Sequence, residues 1–426
     1  MIHSKLPAGS RVVLSAAILL TLWPLAACVR APFGKPVTQA ISLAAPVSAP
    51  TSVPFLLDGG RIYTDVVFRK ADGSTRKALA WVNFGVGGMS LSPALHSELG
   101  GGAVEFALGE ASVRVDSTAL LPMSAGNFAQ MGPLPVEAVL PAGMWPLFRV
   151  TLDYPARTLT LEAPDAPAPD GVAVPMLVNE ATGLASVRLL VDGHTLPVAL
   201  DAGSGYSWIR GDDVRRWLKA NPGWYRADGA LGASNQAMVA ENVEQLGTVV
   251  RVPQMAIGPL TLTDVGVLGT APAQGHPADQ VKDAMFWKLW GQGAAEPVFG
   301  WIGGNAMRPY RVSFDYRKKL SYWKRTGEPQ TGELDAVGIS LIKGTKFYRI
   351  GAIVTRNGKP DLTGAKVGDR LLAIDGRTAA ELTREGILQA LRGTPGTRRR
   401  LTLEREGATL EVEAEIVGEL AGAAPG

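Results

Sequence analysis

The sequence contains the same strand-like motif twice, and this repeat constrains the fold more than any other feature. Residues 149–154 read RVTLDY, and residues 311–316 read RVSFDY. A motif that recurs downstream of similar hairpin patterns indicates a duplicated unit, whereas two unrelated sandwich domains would leave the repeat unexplained. We therefore predict two related lobes, at residues 55–163 and 172–325.

Both lobes also begin with a predicted β-hairpin. In the first lobe, residues 62–68 and 78–82 flank an Asp-Gly turn, and in the second lobe residues 187–191 and 196–200 flank another. Apolar runs on either side of such a turn are typical of hairpins. With 50 glycines, 30 prolines and 46% hydrophobic residues, the sequence predicts a mainly β protein with many short strands.

The composition excludes several classes of function. The 426 residues carry a net charge of only +3, and 19% of them are charged. This balance argues against a disordered chain and against a nucleic-acid-binding surface. One cysteine excludes an internal disulfide framework and cysteine-rich zinc sites, and four scattered histidines give no metal motif. We expect no cofactor, no metal ion and no nucleic acid among the ligands.

The second hairpin leads directly into a loop that carries a carboxylate. Residues 201–204 read DAGS, and residues 301–305 read WIGGN. These segments resemble the active-site loop and the apolar-apolar-Gly segment of retropepsin-type aspartic proteases. The resemblance implies two lobes of the acid-protease β-barrel type with a cleft between them. It also implies Asp201 as the candidate catalytic carboxylate, with Gly203 and Ser204 completing its loop.

The first lobe lacks the second carboxylate that this chemistry needs. Aligning the two hairpins places Asn83 opposite Asp201. Aspartic proteolysis needs two carboxylates that share one proton, and an amide cannot titrate in that range. The family's loop-bridging hydroxyl positions hold Phe84 and Ala202, and Pro141 stands opposite a glycine of the second lobe. Asn83 is therefore a degenerate partner of Asp201.

These departures leave three hypotheses for the lobes. The first is a catalytically impaired, protease-like protein that binds polypeptides without cleaving them. The second is an active aspartic endopeptidase that uses Asp201 and recruits substrates through the third unit described below. One route to such activity is a homodimer in which two copies of Asp201 meet, although the first lobe competes for that position at high effective concentration. The third is a structural component that binds nothing. A tryptophan-rich segment at 286–290 either lines the cleft or forms a small core, and we expect a monomer or a homodimer.

Residues 333–418 form a third unit, which is more compact and more charged. Residues 364–376 read GAKVGDRLLAIDG, and this run closely resembles the Gly-Leu-x-x-Gly-Asp-x-Ile-x-x-Ile-Asn/Asp-Gly run of PDZ domains. A helix follows, with Thr383 as its N-cap and an apolar stripe that includes Ile387 and Leu391. Two further strands close the unit. We therefore predict a PDZ domain after the two lobes.

The resemblance to PDZ domains implies a peptide-binding groove. In that family an extended peptide joins a sheet edge, and backbone amides of a Gly-rich loop hold its terminal carboxylate. The expected ligands are polypeptides or protein C-termini. The candidate residues belong to the carboxylate loop and to the facing helix, and they are Gly338, Ile339, Ser340, Leu341, Ile387 and Leu391. The alternative is that these side chains only fill the core.

Residues 1–28 have the pattern of a secretory signal. Lys5 and Arg11 precede an apolar stretch, and residues 25–28 read LAAC. This ending resembles the bacterial lipoprotein lipobox, which implies lipidation of Cys28 and a lipid anchor in the membrane. A plain signal peptide with an incidental cysteine is the alternative. Residues 29–54, rich in Pro and Ala, are expected to form an extended tether. We expect a protein of the bacterial cell envelope, at the outer membrane facing the periplasm.

Overall fold

The computed structural model describes residues 36–129, 131, 134–229, 247–270, 284, 286–288, 290–329, 332–344 and 346–418. The predicted signal segment and Cys28 lie outside these residues. Over the described part the fold is mainly β, and its strands form four sheets. No helix within these ranges combines the length and the apolar character needed to span a bilayer.

The first half of the described chain contains short strands and two short α-helices. The strands are β1 (Ile41–Leu43), β2 (Thr51–Pro54), β3 (Leu56–Asp58), β4 (Arg61–Arg69), β5 (Thr75–Val82), β6 (Met89–Leu91), β7 (Val104–Leu108), β8 (Ala111–Val115), β9 (Leu120–Pro122), β10 (Val136–Leu140), β11 (Arg149–Asp153) and β12 (Thr158–Glu162). The helices are α1 (Pro93–Glu98) and α2 (Ala125–Ala129).

The second half has a similar content. Its strands are β13 (Val172–Pro175), β14 (Leu177–Val178), β15 (Ala185–Val191), β16 (His194–Leu200), β17 (Ser207–Ile209), β18 (Arg226–Asp228), β19 (Thr248–Ile257), β20 (Leu260–Gly269), β21 (Gly300–Ile302), β22 (Tyr310–Asp315) and β23 (Leu320–Arg325). Its α-helices with complete bounds are α3 (Gly211–Ala220) and α4 (Gly304–Met307).

The third unit follows the second half. Its strands are β24 (Ala336–Val337), β25 (Ile339–Lys343), β26 (Tyr348–Ile353), β27 (Thr355–Arg356), β28 (Lys359–Pro360), β29 (Arg370–Ile374), β30 (Arg377–Thr378), β31 (Arg398–Arg405) and β32 (Ala408–Val417). Its α-helix is α5 (Arg384–Leu391). Short 3-10 helices cover Val37–Ala40, Ser117–Ala119, Ala142–Leu147 and Ala379–Glu381 across the chain.

The two halves repeat the same strand pairing. In the first half, β10 pairs in parallel with β5 and antiparallel with β6. In the second half, β21 pairs in parallel with β16 and antiparallel with β17. The predicted hairpins are present as β4 with β5 and as β15 with β16. The sequence repeat therefore accompanies a repeat of topology.

The repeated motif is the strand through which the two halves join. β11 and β22 pair antiparallel inside one sheet, in the order β13-β23-β22-β11-β12-β2. Their register is symmetric about Thr151 and Ser313, whose hydroxyl oxygens are hydrogen-bonded at 2.8 Å. The apolar side chains that flank this centre are fully buried, and they are Val150, Leu152, Val312 and Phe314. The motif occurs twice because each copy forms one half of this junction.

Residues 36–54 fold onto the first half, so the prediction of an extended tether is wrong for this part of the chain. β1 pairs with β8, and β2 pairs with β12. Val37 and Ile41 are buried, and a Cβ on Gly143 would lie 2.9 Å from Cγ1 of Val37. Proline and alanine dominate the segment, but these β-branched side chains fill space in the core that only the folded lobe creates.

The third unit contains the helix and strands predicted for its sequence. α5 begins after Thr383, whose hydroxyl oxygen accepts a hydrogen bond from the Gly386 N–H at 3.1 Å. The sheet order is β24-β32-β31-β29-β26-β25, with β30 beside β29. Among the described strands, β25 pairs only with β26, so β25 is an edge strand.

The third unit is docked directly on the second half. β27 pairs with β18, and this pairing adds β27 and β28 to the sheet of the second half. Leu334 and Val354 of the third unit share a hydrophobic cluster with Trp208 and other aromatic side chains of the second half. Arg251 and Glu333 form a buried ion pair at 3.2 Å near this junction. These contacts fix the position of the third unit relative to the second half.

Gly205 lies where two backbone segments touch, and a Cβ there would overlap the carbonyl oxygen of Gly59. Because both contacting groups belong to backbone, no flexible side chain can move aside. We expect Gly205→Ala to lower the free energy of unfolding by about 1–3 kcal/mol, as measured by chemical denaturation. Gly223→Ala is the control, since nothing lies within 4 Å of a Cβ at that position. Equal losses in the two variants would contradict the packing argument.

Candidate functional site

Asn83 and Asp201 occupy equivalent positions in the two halves. Each residue directly follows the second strand of its hairpin, β5 or β16. The N–H of Asn83 donates to the carbonyl of Leu140 at 3.2 Å, and the N–H of Asp201 donates to the carbonyl of Ile302 at 3.0 Å. Leu140 and Ile302 are themselves the last residues of the equivalent strands β10 and β21. The structure therefore reproduces the alignment of the two loops.

Both side chains stabilise their loops in the same way. Oδ1 of Asn83 accepts hydrogen bonds from the N–H groups of Gly85 and Val86, each at 2.8 Å. Oδ1 of Asp201 accepts one from the N–H of Gly203 at 2.9 Å. Side-chain oxygens that bind their own backbone two residues later are typical of tight Asx turns. One oxygen of each residue is therefore used to shape its loop.

The two loops contact each other within one chain. A Cβ on Gly203 would lie 2.6 Å from Nδ2 of Asn83, and a Cβ on Gly85 would lie 2.7 Å from Oδ2 of Asp201. Nε1 of Trp81, from the first half, donates to the carbonyl of Gly203 at 2.9 Å. Glycine is needed at both positions because each loop approaches the functional side chain of the other loop. Asp201 thus faces the first half of its own chain.

Apolar packing occupies the places where hydroxyl groups would cross-link the loops. Phe84 stacks on Trp145 with ring centroids 4.9 Å apart, and it lies at the same distance from Phe314. Ala202 is fully buried. The hydroxyl of Ser204 donates to the carbonyl of Tyr206 at 2.8 Å and accepts from Trp301 at 2.7 Å. Ser204 therefore supports its own loop.

Aromatic side chains close the site. Asn83 and Asp201 are both 0% exposed. A Cβ on Gly85 would overlap the ring of Trp290, so this ring lies beside the loop and next to the carboxyl group of Asp201. Trp290 stacks on Trp301 at 5.1 Å. The aromatic side chains of the tryptophan-rich segment thus form a buried cluster, and Trp290 also lies beside the candidate site.

Burial raises the pKa of the Asp201 carboxyl to about 6. The N–H groups of Gly203, Phe84 and Ser204 and the guanidinium of Arg61 lower the pKa and offset part of the rise. Among the described residues, neither Oδ2 of Asp201 nor Nδ2 of Asn83 has a partner at hydrogen-bond geometry. Two polar atoms therefore remain unsatisfied at the centre of the site.

This arrangement holds one titratable proton and cannot share it between two acids. The amide of Asn83 neither donates an acidic proton nor accepts one as a base near neutral pH. A general base must also reach the proton that it removes, and both side chains are closed off from solvent. Over the described ranges, no group of three or more His, Cys, Asp or Glu side chains is placed to hold a metal ion.

Three tryptophans contact this site, and the sequence patterns indicated only Trp290, as part of a segment that either lines the cleft or forms a small core. Nε1 of Trp145 donates to the carbonyl of Asn83 at 2.8 Å, beside the contacts of Trp81 and Trp290 described above. Trp81 is two residues from Asn83, so its position next to a candidate loop was a usable signal. Trp145 is distant from Asn83 in the chain, and no local pattern indicates their contact.

The predicted carboxylate-loop residues of the third unit lie at a bend and in the strand that follows it. Gly338 forms a bend, whereas Ile339, Ser340 and Leu341 belong to β25 and pair with β26. Their strand pairing satisfies backbone groups that a free loop would leave open. A Cβ on Gly338 would overlap the side chain of Asp361, so the glycine permits a close approach at this end of β25.

The two predicted groove residues of α5 lie in the core of the third unit. Ile387 is 2% exposed and Leu391 is 3% exposed, and both belong to the same cluster as Ile339. Their burial matches the alternative in which these side chains fill the core. Leu341 is half-buried and packs at the edge of that cluster.

A scan against models of known protein families found no match for this chain, and a search of curated proteins found none either.

The raised pKa of Asp201 makes stability depend on pH with a defined sign. The folded protein keeps this proton up to about pH 6, whereas the unfolded chain releases it near the ordinary value of 3.8. The folded state is therefore favoured at low pH, and its free energy of unfolding falls by about 2 kcal/mol as the pH rises from 4 to 6. Asp201→Asn should remove this loss, as measured by denaturation at several pH values.

The comparison uses the difference between wild type and variant, because other carboxyl groups titrate over the same interval. Asp65→Asn changes an exposed carboxylate on β4 and should keep the wild-type profile. Parallel profiles for wild type and Asp201→Asn would show that the buried carboxyl does not titrate as described.

Proposed function

We propose that this chain is a catalytically silent protein of the aspartic-protease type that binds polypeptides through a PDZ-like third unit. The resemblance of the DAGS loop to retropepsin-type proteases supports the family assignment. The observation that supports silence is the equivalent placement of Asn83 and Asp201 in two loops that contact each other. One acid and one amide cannot perform the shared-proton mechanism.

Burial supports the same proposal independently of the amide. A peptide substrate and an attacking water both need access to the carboxyl group, and Asp201 is 0% exposed. Activity through a homodimer would require the Asp201 loop to leave Asn83. The pairing of β11 with β22 holds the two halves together, and a tethered partner competes at high effective concentration. The active endopeptidase is therefore the less favoured candidate.

We assign the proposed binding of polypeptides to the third unit. An edge strand beside a helix is the arrangement to which an extended peptide adds as a further strand. β25 is such an edge among the described strands, and Gly338 lies at its beginning, where backbone amides would face a terminal carboxylate. We propose free protein C-termini or other extended polypeptides as the ligands.

The location proposed for this function is the bacterial cell envelope. The proposal depends on the lipobox-like sequence that ends at Cys28 and on the apolar stretch before it. Lipidation of Cys28 would place the folded lobes next to the membrane, at the periplasmic face of the outer membrane. Mass spectrometry of the mature protein tests for the acyl chains directly.

The catalytic part of the proposal predicts a silent enzyme. Wild type and Asp201→Ala should give the same background cleavage of unstructured peptides between pH 4 and 6, as measured by chromatography of the products. Asn83→Asp should also stay silent, because both positions are fully buried and two adjacent carboxylates are costly to bury. Turnover by wild type that disappears in Asp201→Ala would overturn the proposal.

The binding part predicts that peptides with a free carboxylate bind the full-length protein with micromolar affinity, on the order of that expected for a short strand added to a sheet. Amidation of the terminus should weaken binding because it removes the charge that the backbone amides face. Leu341→Ala should weaken it about tenfold through lost apolar contact, whereas Val367→Ala, an exposed loop position, should not. Calorimetry measures all four cases, and equal binding of amidated peptides would contradict the carboxylate contact.

A further inference from the structure

The turn between β3 and β4 contacts the first turn of α5, far away in the sequence. Oδ1 of Asp58 accepts a hydrogen bond from the N–H of Glu385 at 2.6 Å. The side chain of Arg384 covers Gly59 so closely that a Cβ on this glycine would overlap it. Asp58 is 2% exposed and Arg384 is 8% exposed. A carboxylate at a helix N-terminus is favourable because it meets open N–H groups and the positive end of the helix dipole.

The second half also contacts the first turn of α5. Nη2 of Arg308, which directly follows α4, pairs with Oε2 of Glu385 at 3.1 Å. Both side chains are largely buried, with exposed fractions of 12% and 16%. Partly buried, hydrogen-bonded ion pairs of this kind are stronger than pairs on an open surface. The first turn of α5 therefore contacts both halves, through Asp58 of the first and Arg308 of the second.

This contact lies at one end of the proposed peptide groove. A peptide whose carboxylate sits at Gly338 and which runs antiparallel to β25 passes Lys343 before it leaves the groove. Lys343 lies over the ring of Tyr348, its partner on β26, at 5.1 Å. The hydroxyl of Tyr348 donates to the carbonyl of Leu382 at 3.5 Å, directly before the Thr383 cap of α5. Upstream residues of the ligand would therefore reach the place that the β3–β4 turn now occupies.

The side chains of β25 are more buried than those of an open edge strand. An edge strand normally exposes part of its side chains to solvent, yet Ser340 is 0% exposed, Lys343 is 5% exposed and Ile342 is 7% exposed. Oγ of Ser340 is buried without a hydrogen-bond partner among the described residues. A buried hydroxyl left without a partner costs free energy, and strand addition would bring new polar groups to this edge.

We propose that residues 58–61 act as an intramolecular latch, which closes the upstream end of the groove by docking Asp58 on α5. The latch rests on the proposed function, because it regulates the same groove. A ligand binds only when the latch has left α5, so its apparent affinity is reduced by the fraction of molecules that are open. Removing the Asp58 contact raises that fraction.

The latch also touches the candidate active-site loop. A Cβ on Gly60 would lie 2.5 Å from the carbonyl oxygen of Gly205. Arg61 lies over the ring of Trp81 at 4.7 Å and lowers the pKa of Asp201. Movement of the latch therefore changes the surroundings of the Asp201 loop. The same turn links the third unit to the contact between the two halves.

The test measures peptide affinity in the full-length protein by calorimetry, with one free-carboxylate peptide as the probe. Asp58→Ala should tighten binding about tenfold, which is the effect expected from losing one helix-capping contact. Asp58→Asn keeps the shape of the side chain and should tighten binding less, and it replaces the alanine variant if that protein does not fold. Asp65→Ala removes an exposed carboxylate on β4 and should change nothing.

Hydrogen exchange provides a readout that needs no ligand. In Asp58→Ala, the backbone amides of β25 and of the first turn of α5 should exchange faster than in wild type. Unchanged exchange together with unchanged affinity would overturn the latch. Faster exchange with weaker binding would also overturn it, because Asp58 would then be only a structural cap. Faster exchange in a protein that binds no peptide, in either form, would support the latch contact and refute the proposed peptide-binding function.

Discussion

The antiparallel pairing of β11 and β22 is the interaction on which the other features depend. Its register is symmetric about Thr151 and Ser313, so it relates the two halves as near-equivalent partners. Because each half repeats the same strand pairing, the loops after β5 and β16 meet, and glycines at equivalent positions let them touch. A change in this register would separate Asn83 from Asp201 and expose the indoles that pack around them.

The junction creates a site whose polar groups are only partly satisfied. Asp201 keeps a carboxyl with a raised pKa in buried surroundings, and Nδ2 of the facing Asn83 has no hydrogen-bond partner within the described part of the chain. Strongly perturbed acids often mark functional sites, but catalysis also needs access for water and substrate. Here Asn83 and Asp201 are both fully buried, and the ring of Trp290 lies beside the loop of Asn83. An acid that has a raised pKa but that water and substrate cannot reach is consistent with the silent enzyme that we propose.

The third unit extends the same assembly. It shares a hydrophobic cluster and a sheet with the second half. In its helix α5, the N–H of Glu385 donates a hydrogen bond to Asp58 of the first half. The turn that supplies Asp58 also packs against Gly205 in the Asp201 loop. Binding at the third unit and the arrangement of the two halves are thus connected through one short turn, and this physical link supports the proposed latch.

The sequence by itself determined what depends on short-range patterns. The hairpins, the equivalence of Asn83 and Asp201, and the Thr383 cap of α5 follow from alternation, turn residues and capping, which act over a few residues. Only the tertiary structure decided that residues 36–54 join the first half, that Trp290 lies against the loop of Asn83, and that Asp58 caps α5. These contacts join segments that are distant in the chain, and their free energy comes from burial in spaces that exist only after both surfaces have formed.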